Sequence, residues 1–384
     1  MKENEIYFND TIIDNYFSDS DEDNEEIINN EELTKRVLDI KKYDRMIKDI
    51  IVSIDDGMIY LSPDYQRNYI WDNKKASKLI ESILLNIPIP VIYASEEEDG
   101  KWNIIDGLQR LYSLHRFYKN DLKLSGLEVL SELNGKKYFD LQDSLRNKID
   151  RGDLTIILLL QSSSKDIQYD IFMRLNTGAV KLNEQELRNC LYRGKLNDLV
   201  KNELINNEDF VNIFNFKDLH KRMFDSEIVL RYLAFSDNYN IKEKCIDNYN
   251  GRIKNIVNNF MIKYQKIDQL TLDKFRDKFN TNIKKCWQIF DNKAFKKQNI
   301  SGDYDTRTNR PLFETIMICF EKYDLNVLLK HKKKIIEETE KLIKSKDFND
   351  LISTATGNST KTNNRLKIYS NLLEGIINDN RNTL

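Results

Sequence analysis

Glycine and proline interrupt regular structure, and this chain distributes them unevenly. Eight of its 12 glycines and three of its four prolines lie in residues 1–194, which leaves four glycines and one proline for the other 190 residues. The first part is therefore punctuated into short elements, while the second reads as long, rarely broken helices. The expected architecture is α+β followed by an all-α region, with the boundary near Gly194. A length of 384 residues is ample for two cores. With 40% hydrophobic and 32% charged residues, the composition is that of a soluble, helix-rich globular protein.

Charge divides the chain further. Residues 1–32 hold twelve Asp or Glu and one Lys, a balance of −11, which leaves the other 352 residues at +9 against a total of −2. Residues 1–37 read as an acidic, flexible tail, 38–194 as one domain and 195–384 as a helical domain. The tail is either a solvated segment or an internal mimic of nucleic-acid charge. The opening Met-Lys-Glu-Asn-Glu shows no basic flank ahead of an apolar stretch, and no apolar run approaches the roughly 18 residues of a membrane span. The expected location is the cytoplasm.

Cys190, Cys245, Cys286 and Cys319 are 55, 41 and 33 residues apart, the spacing of reduced thiols rather than of a metal site or a disulfide framework. The three histidines, His115, His220 and His331, are equally scattered. Zinc-finger, zincin and His-Asn-His nuclease chemistry is excluded on those counts, so DNA cutting would need another chemistry or another subunit.

Local patterns place the elements. Asp72 or Asn73 caps a helix carrying Ala76, Leu79, Ile80, Ile83 and Leu84, which must end before Pro88. Ile87 to Tyr93 and Lys101 to Ile105 are expected as neighbouring strands, the second running through Asp106-Gly107 into a helix with Leu108, Leu111, Leu114 and Phe117. Further expectations are a helix over 139–149, a buried strand over 154–160, a helix over 165–175, and a capping box at Asn183 and Glu186. Pro311 suits the first turn of a late helix.

Three loops could carry chemistry. A strand ending at Asp106-Gly107 and turning into a helix presents backbone N–H groups and the positive end of a dipole, a natural seat for phosphate. Gly107 would allow close approach, Gln109 and Arg110 can reach phosphate oxygens, and Asp106 can hold Mg2+ or orient a water. The plainer alternative is an N-cap with a surface arginine. Ser62 to Trp71 gathers Tyr65, Gln66, Arg67, Tyr69 and Trp71, able to stack on a base and grip a phosphate, or else to staple the loop to the core. Phe172 to Asn189 turns at Gly178, with Arg174, Asn176 and Thr177 on a polar corner that could close a pocket or simply join two helices.

Taken in order, Pro63-Asp64-Tyr65-Gln66-Arg67 with Trp71, Ile87-Pro88-Ile89-Pro90, Asp106-Gly107-Leu108-Gln109-Arg110 and Phe172 to Gly178 resemble the N-terminal domain family named for the GmrSD restriction enzymes. The resemblance covers residues from about 38 to 195, and the helical remainder is similar to the tail of short stand-alone members. It implies a ParB/sulfiredoxin-like fold that binds and hydrolyses an NTP with Mg2+ in defence against modified phage DNA. Asp106, Gln109 and Arg110 would be catalytic, with Asp106 the metal ligand. Gly107, Arg67, Arg174 and Asn176 would bind the nucleotide, and Tyr65, Gln66 and Trp71 would sense DNA. Leu108 stands where the family usually has Gln, and the nuclease half of full-length restriction enzymes has no counterpart here.

The leading expectation is thus a nucleotide-binding, NTP-hydrolysing regulatory or DNA-sensing component of a restriction-type defence system, acting on DNA with a nuclease partner. One alternative is a non-enzymatic DNA-binding module lined by Tyr65, Arg67, Arg110 and Arg174. The other is a ParB-like metal-dependent nuclease using Asp106 with Glu184 or Glu186.

Overall fold

The computed structural model describes residues 38–61, 71–175, 183–214, 223–298 and 302–378. The acidic tail, the loop holding Tyr65, Gln66 and Arg67, and the corner holding Asn176 lie outside the described residues. The chain divides into two compact units, one reaching to Lys181 and the other beginning at Leu182. The division falls ahead of Gly194 because the helix Glu184–Leu191 is fastened into the helical unit, where Arg188 Nε donates to Asn258 Oδ1 at 2.9 Å.

In the first unit the elements run β1 (Ile40–Met46), α1 (Ile47–Asp55), β2 (Ile59–Tyr60), α2 (Asn73–Leu84), β3 (Ile92–Glu96), β4 (Trp102–Asp106), α3 (Leu108–Tyr118), α4 (Asp143–Asp150), β5 (Asp153–Leu159) and α5 (Lys165–Leu175). One mixed sheet has the order β1-β5-β3-β4-β2. β5 pairs antiparallel with β1, Ile40 opposite Leu159, and parallel with β3, Ile92 opposite Ile156. β3 and β4 are antiparallel, Tyr93 opposite Asp106, with an irregularity between Tyr93 and Ala94.

Alternation along the strands sends Ile92, Ala94, Ile104, Leu154, Ile156 and Leu158 into one core with Ile80, Leu111, Leu114 and Phe117. Each large aliphatic side chain buried there contributes about 1.5–3 kcal/mol. The intervening residues Ser95, Asn103 and Leu159 are also buried, on the opposite face. There α5 packs on β4 and buries Gln168 and Tyr169 outside the main core. A sheet covered on both sides reads as nearly continuous apolar sequence, as Leu154 to Leu159 does.

Capping chemistry sets the helix starts. Asp72 accepts the Lys75 N–H at 2.7 Å, and Asn183 and Glu186 form both bonds of a capping box. β3 begins at Ile92, five residues later than the sequence pattern predicts, because Pro88 and Pro90 lack the N–H groups a sheet strand needs. The helix expected from residue 139 starts at Asp143, after a tight 3-10 turn at Tyr138–Asp140. β1 and α1 went unforeseen. Strand passes to helix at Met46 with no side-chain cap to mark the change.

The second unit comprises α6 (Glu184–Leu191), α7 (Lys195–Asn202), α8 (Glu208–Phe214), α9 (Phe224–Asp237), α10 (Ile253–Lys263), α11 (Gln269–Phe290), α12 (Arg310–Phe320), α13 (Leu325–Lys330), α14 (Lys332–Lys344), α15 (Lys346–Leu351) and α16 (Ser359–Asn378). Two short ribbons, Tyr239–Asn240 with Cys245–Ile246 and Lys296–Gln298 with Tyr304–Thr308, join the helices. Pro311 sits in the first turn of α12 as expected. Phe313 of α12 is the centre of an aromatic cluster, with ring centroids of Phe295, Phe214, Tyr232 and Phe210 between 5.1 and 6.4 Å away. No helix among the described residues is long and apolar enough to cross a membrane.

One buried carboxylate fixes a long connection of the first unit. Glu81 on α2 accepts the N–H groups of Val129 and Leu130 at 3.0 and 2.8 Å. Replacing Glu81 by Ala leaves both donors without that acceptor, and should lower unfolding free energy by about 2 kcal/mol. Glu128→Ala, which removes only an exposed partner of Lys78, should leave the urea midpoint unchanged. Equal midpoints for the two variants would show that the Glu81 bonds hold nothing in place.

Candidate functional site

The candidate site is built where β4 ends and α3 begins. Gly107 makes the turn at φ +97° and ψ 5°, in the left-handed region that glycine adopts without steric cost. A side chain is doubly unwelcome there. A Cβ on Gly107 would lie 2.8 Å from Ile92 Cγ1 and 3.1 Å from Arg110 Nη2. Ile92 is fully buried and cannot retreat, so the chain comes to this point as bare backbone.

Arg110 folds back under that turn. Its Nη2 donates to Asp106 Oδ2 at 2.6 Å, and its Nη1 reaches the carbonyls of Pro90 and, at 3.3 Å, Val91. The prolines matter here. Because residues 87–91 run outside the sheet, their carbonyls are available to a side chain instead of a neighbouring strand. The Arg110 side chain is 11% exposed and that of Asp106 41%, so the pair joins an inner cation to an outer anion. A partly covered, charge-assisted bond of this geometry is stronger than a surface ion pair.

Gln109 extends the turn in another direction. Its Oε1 accepts the Trp71 N–H at 3.4 Å, tying α3 to the chain just after the Tyr65 to Arg67 motif. The half-buried Trp71 packs against the main core, and the Lys75 ammonium lies 5.0 Å from its ring centroid. Three separated stretches, Ile87 to Val91, Asp106 to Arg110 and Trp71, therefore meet around one glycine.

Residues 47–193 match the family profile described as GmrSD restriction endonuclease, N-terminal domain. Residues 47–193 are a GmrSD N-terminal domain. No curated protein and no solved structure matches the chain. A domain of this family suggests a component of a restriction-type defence system.

Within the GmrSD domain the structure brings together Trp71, Asp106, Gly107, Gln109 and Arg110. Arg174 lies in the last turn of α5, its side chain outside the described residues. The Arg110 guanidinium, which the sequence reading has within reach of phosphate oxygens, is directed to Asp106 and the Pro90 and Val91 carbonyls. Gln168 was not anticipated. It is fully buried on α5, donates to the Ser163 carbonyl at 3.0 Å, and leaves its Oε1 without a hydrogen-bond partner. Nothing in the local sequence distinguishes it from a surface glutamine of an amphipathic helix.

The carboxylates invoked for a nuclease are engaged locally. Glu186 accepts the Asn183 N–H at 2.7 Å within the capping box, and Glu184 pairs with Arg188 at 2.6 Å. Among the described residues no three His, Cys, Asp or Glu side chains gather in a group that could hold a metal ion. A Mg2+ at Asp106 would take its remaining ligands from phosphate oxygens and water, the usual state of Mg2+ at nucleotide sites.

Gly107→Ala tests the turn against a built-in comparison. Gly100 has φ +78° with nothing within 4 Å of the point a Cβ would occupy, so Gly100→Ala incurs backbone strain alone. Gly107→Ala adds the Ile92 clash and should be less stable than Gly100→Ala by a further 1–3 kcal/mol or so in chemical denaturation. Equal stabilities would show that Ile92 yields.

Proposed function

We propose that this protein is a nucleotide-binding, NTP-hydrolysing component of a restriction-type system, on a ParB-like fold, whose bound state governs recognition of DNA and the action of a nuclease partner. The observation that carries this reading is the turn at Gly107, where Arg110 clamps Asp106 and the Pro90 and Val91 carbonyls at the start of a helix.

Phosphate would approach the bare backbone of Gly107 and the positive end of α3. In this reading Arg110 is a positioning residue. It holds Asp106 Oδ2, so that Oδ1 is the oxygen presented to Mg2+ or to an attacking water. Gln109, through the Trp71 N–H, couples that geometry to the loop of Tyr65, Gln66 and Arg67, the segment proposed to meet nucleotide and DNA. Arg174 and Asn176 complete the proposed nucleotide-binding set. Binding without turnover, the non-enzymatic alternative, differs only in whether phosphate is released.

Calorimetry with ATP, GTP and CTP in the presence of Mg2+ separates the roles. Arg110→Lys keeps the charge but cannot span a carboxylate and two carbonyls, and should weaken nucleotide binding at least tenfold. Asp106→Asn should bind nucleotide yet release no phosphate. Parent-like affinity in Arg110→Lys, with an unchanged melting curve, would remove the turn as the nucleotide site. Tight binding with no phosphate release by the parent would leave a switch without an enzyme.

A further inference from the structure

The positive charge of this chain does not lie in its GmrSD domain. Residues 38–181 carry 21 Lys and Arg against 22 Asp and Glu, whereas residues 182–384 carry 36 against 28. The surplus of eight belongs to the helical unit. Its densest stretch is Lys330-His331-Lys332-Lys333-Lys334, at the junction of α13 and α14. His331 is buried, and its carbonyl accepts the Ile335 N–H at 2.9 Å, while the four lysines are exposed.

This run is seated against a second source of charge. Lys332 Nζ donates to the Gln288 carbonyl near the end of α11 at 2.8 Å. Lys284 stands one turn before Gln288 on the same helix face, and Lys293 follows in the turn after α11. Both are exposed. Acidic groups of the described residues stand among them. Glu337 approaches Lys333 at 4.0 Å, Asp209 feels the charge of Lys284, and Asp291 is exposed between α11 and Lys293.

The order of charge along α14 also runs against the helix. Lys332, Lys333 and Lys334 fill its first turn, where the positive end of the dipole disfavours cations. Glu337 lies C-terminal to Lys333, the weaker order for an i,i+4 pair. Neither placement favours the helix. A polyanion laid across the lysines removes their mutual repulsion and is attracted by the same dipole.

We infer that the lysine-rich junction of α13 and α14, with the end of α11, is the region by which this chain holds the phosphate backbone of duplex DNA. It is composed of lysines without an arginine fork, so it grips phosphate as point charges and does not read bases. Sequence or modification would then be sensed elsewhere. The inference rests on the reading of the chain as a DNA-directed restriction component, and not on the nucleotide site.

The test is fluorescence anisotropy of a labelled duplex with the full chain over a range of salt. K330Q/K333Q/K334Q spares the Lys332 contact and changes only exposed side chains. It should weaken duplex binding at least tenfold at low salt and reduce the slope of log affinity against log salt by about 2–3. K341Q/K344Q/K346Q, exposed in the last turn of α14 and just after it, serves as the charge-matched control and should change both far less. An unchanged affinity and slope, an equal loss in the control, or a loss confined to phosphatidylserine vesicles would each overturn the proposal. A parent that binds no duplex at low salt would overturn it together with the DNA part of the proposed function, and would leave the calorimetric test of the nucleotide site standing.

Discussion

A guanidinium is costly to cover without an anion and further acceptors, because the loss of water is repaid only by close, well-aligned partners. Arg110 meets that requirement with Asp106 and two backbone carbonyls. In doing so it joins the segment before β3, the end of β4 and the first turn of α3. The left-handed turn at Gly107 is the geometric condition for this, since the guanidinium passes where a side chain would stand. The turn from Asp106 to Arg110 therefore reads as a single mechanical part. Its aspartate and arginine satisfy each other, its glycine makes room for them, and its glutamine fastens the neighbouring loop.

The helical unit uses the same chemistry at greater depth. Glu314 on α12 lies between Arg231 on α9 at 2.7 Å and Arg365 on α16 at 2.9 Å, all three nearly inaccessible to water. Arg365 also donates to the Thr356 carbonyl at 2.6 Å. Removing one member of such a group costs about 3–5 kcal/mol, since it strands a buried charge. The triad ties α9, α12 and α16 together through directional bonds, beside the aromatic cluster around Phe313.

Much of this was legible in the sequence, for reasons that differ by element. α2, α6 and α12 announced themselves because Asp72, Asn183 and Pro311 act within a few residues of their own position. The turn at Asp106-Gly107 was visible because a strand pattern and a helix pattern abut there. β1 was invisible: Ile40 to Met46 lies at the sheet edge with mostly exposed side chains, so it lacks an apolar signature. The partners of Arg110 were not legible for another reason. Its acceptors, Pro90 and Val91, are 20 and 19 residues away, and they become acceptors only because the prolines hold that segment out of the sheet. Long-range satisfaction of a polar group follows from topology, which local spacing does not encode.

The bond between Gln109 and the Trp71 backbone has an optical corollary. Trp71 is one of three tryptophans; Trp102 sits in β4 beside Tyr43 and Arg45, and Trp287 belongs to α11 of the helical unit. Only the Trp71 backbone is tied directly to the glycine turn. Its indole is half in the core and half under the Lys75 ammonium. Any rearrangement of the turn alters the polarity and field around that ring, so the molecule carries its own chromophore at the junction of its two motifs.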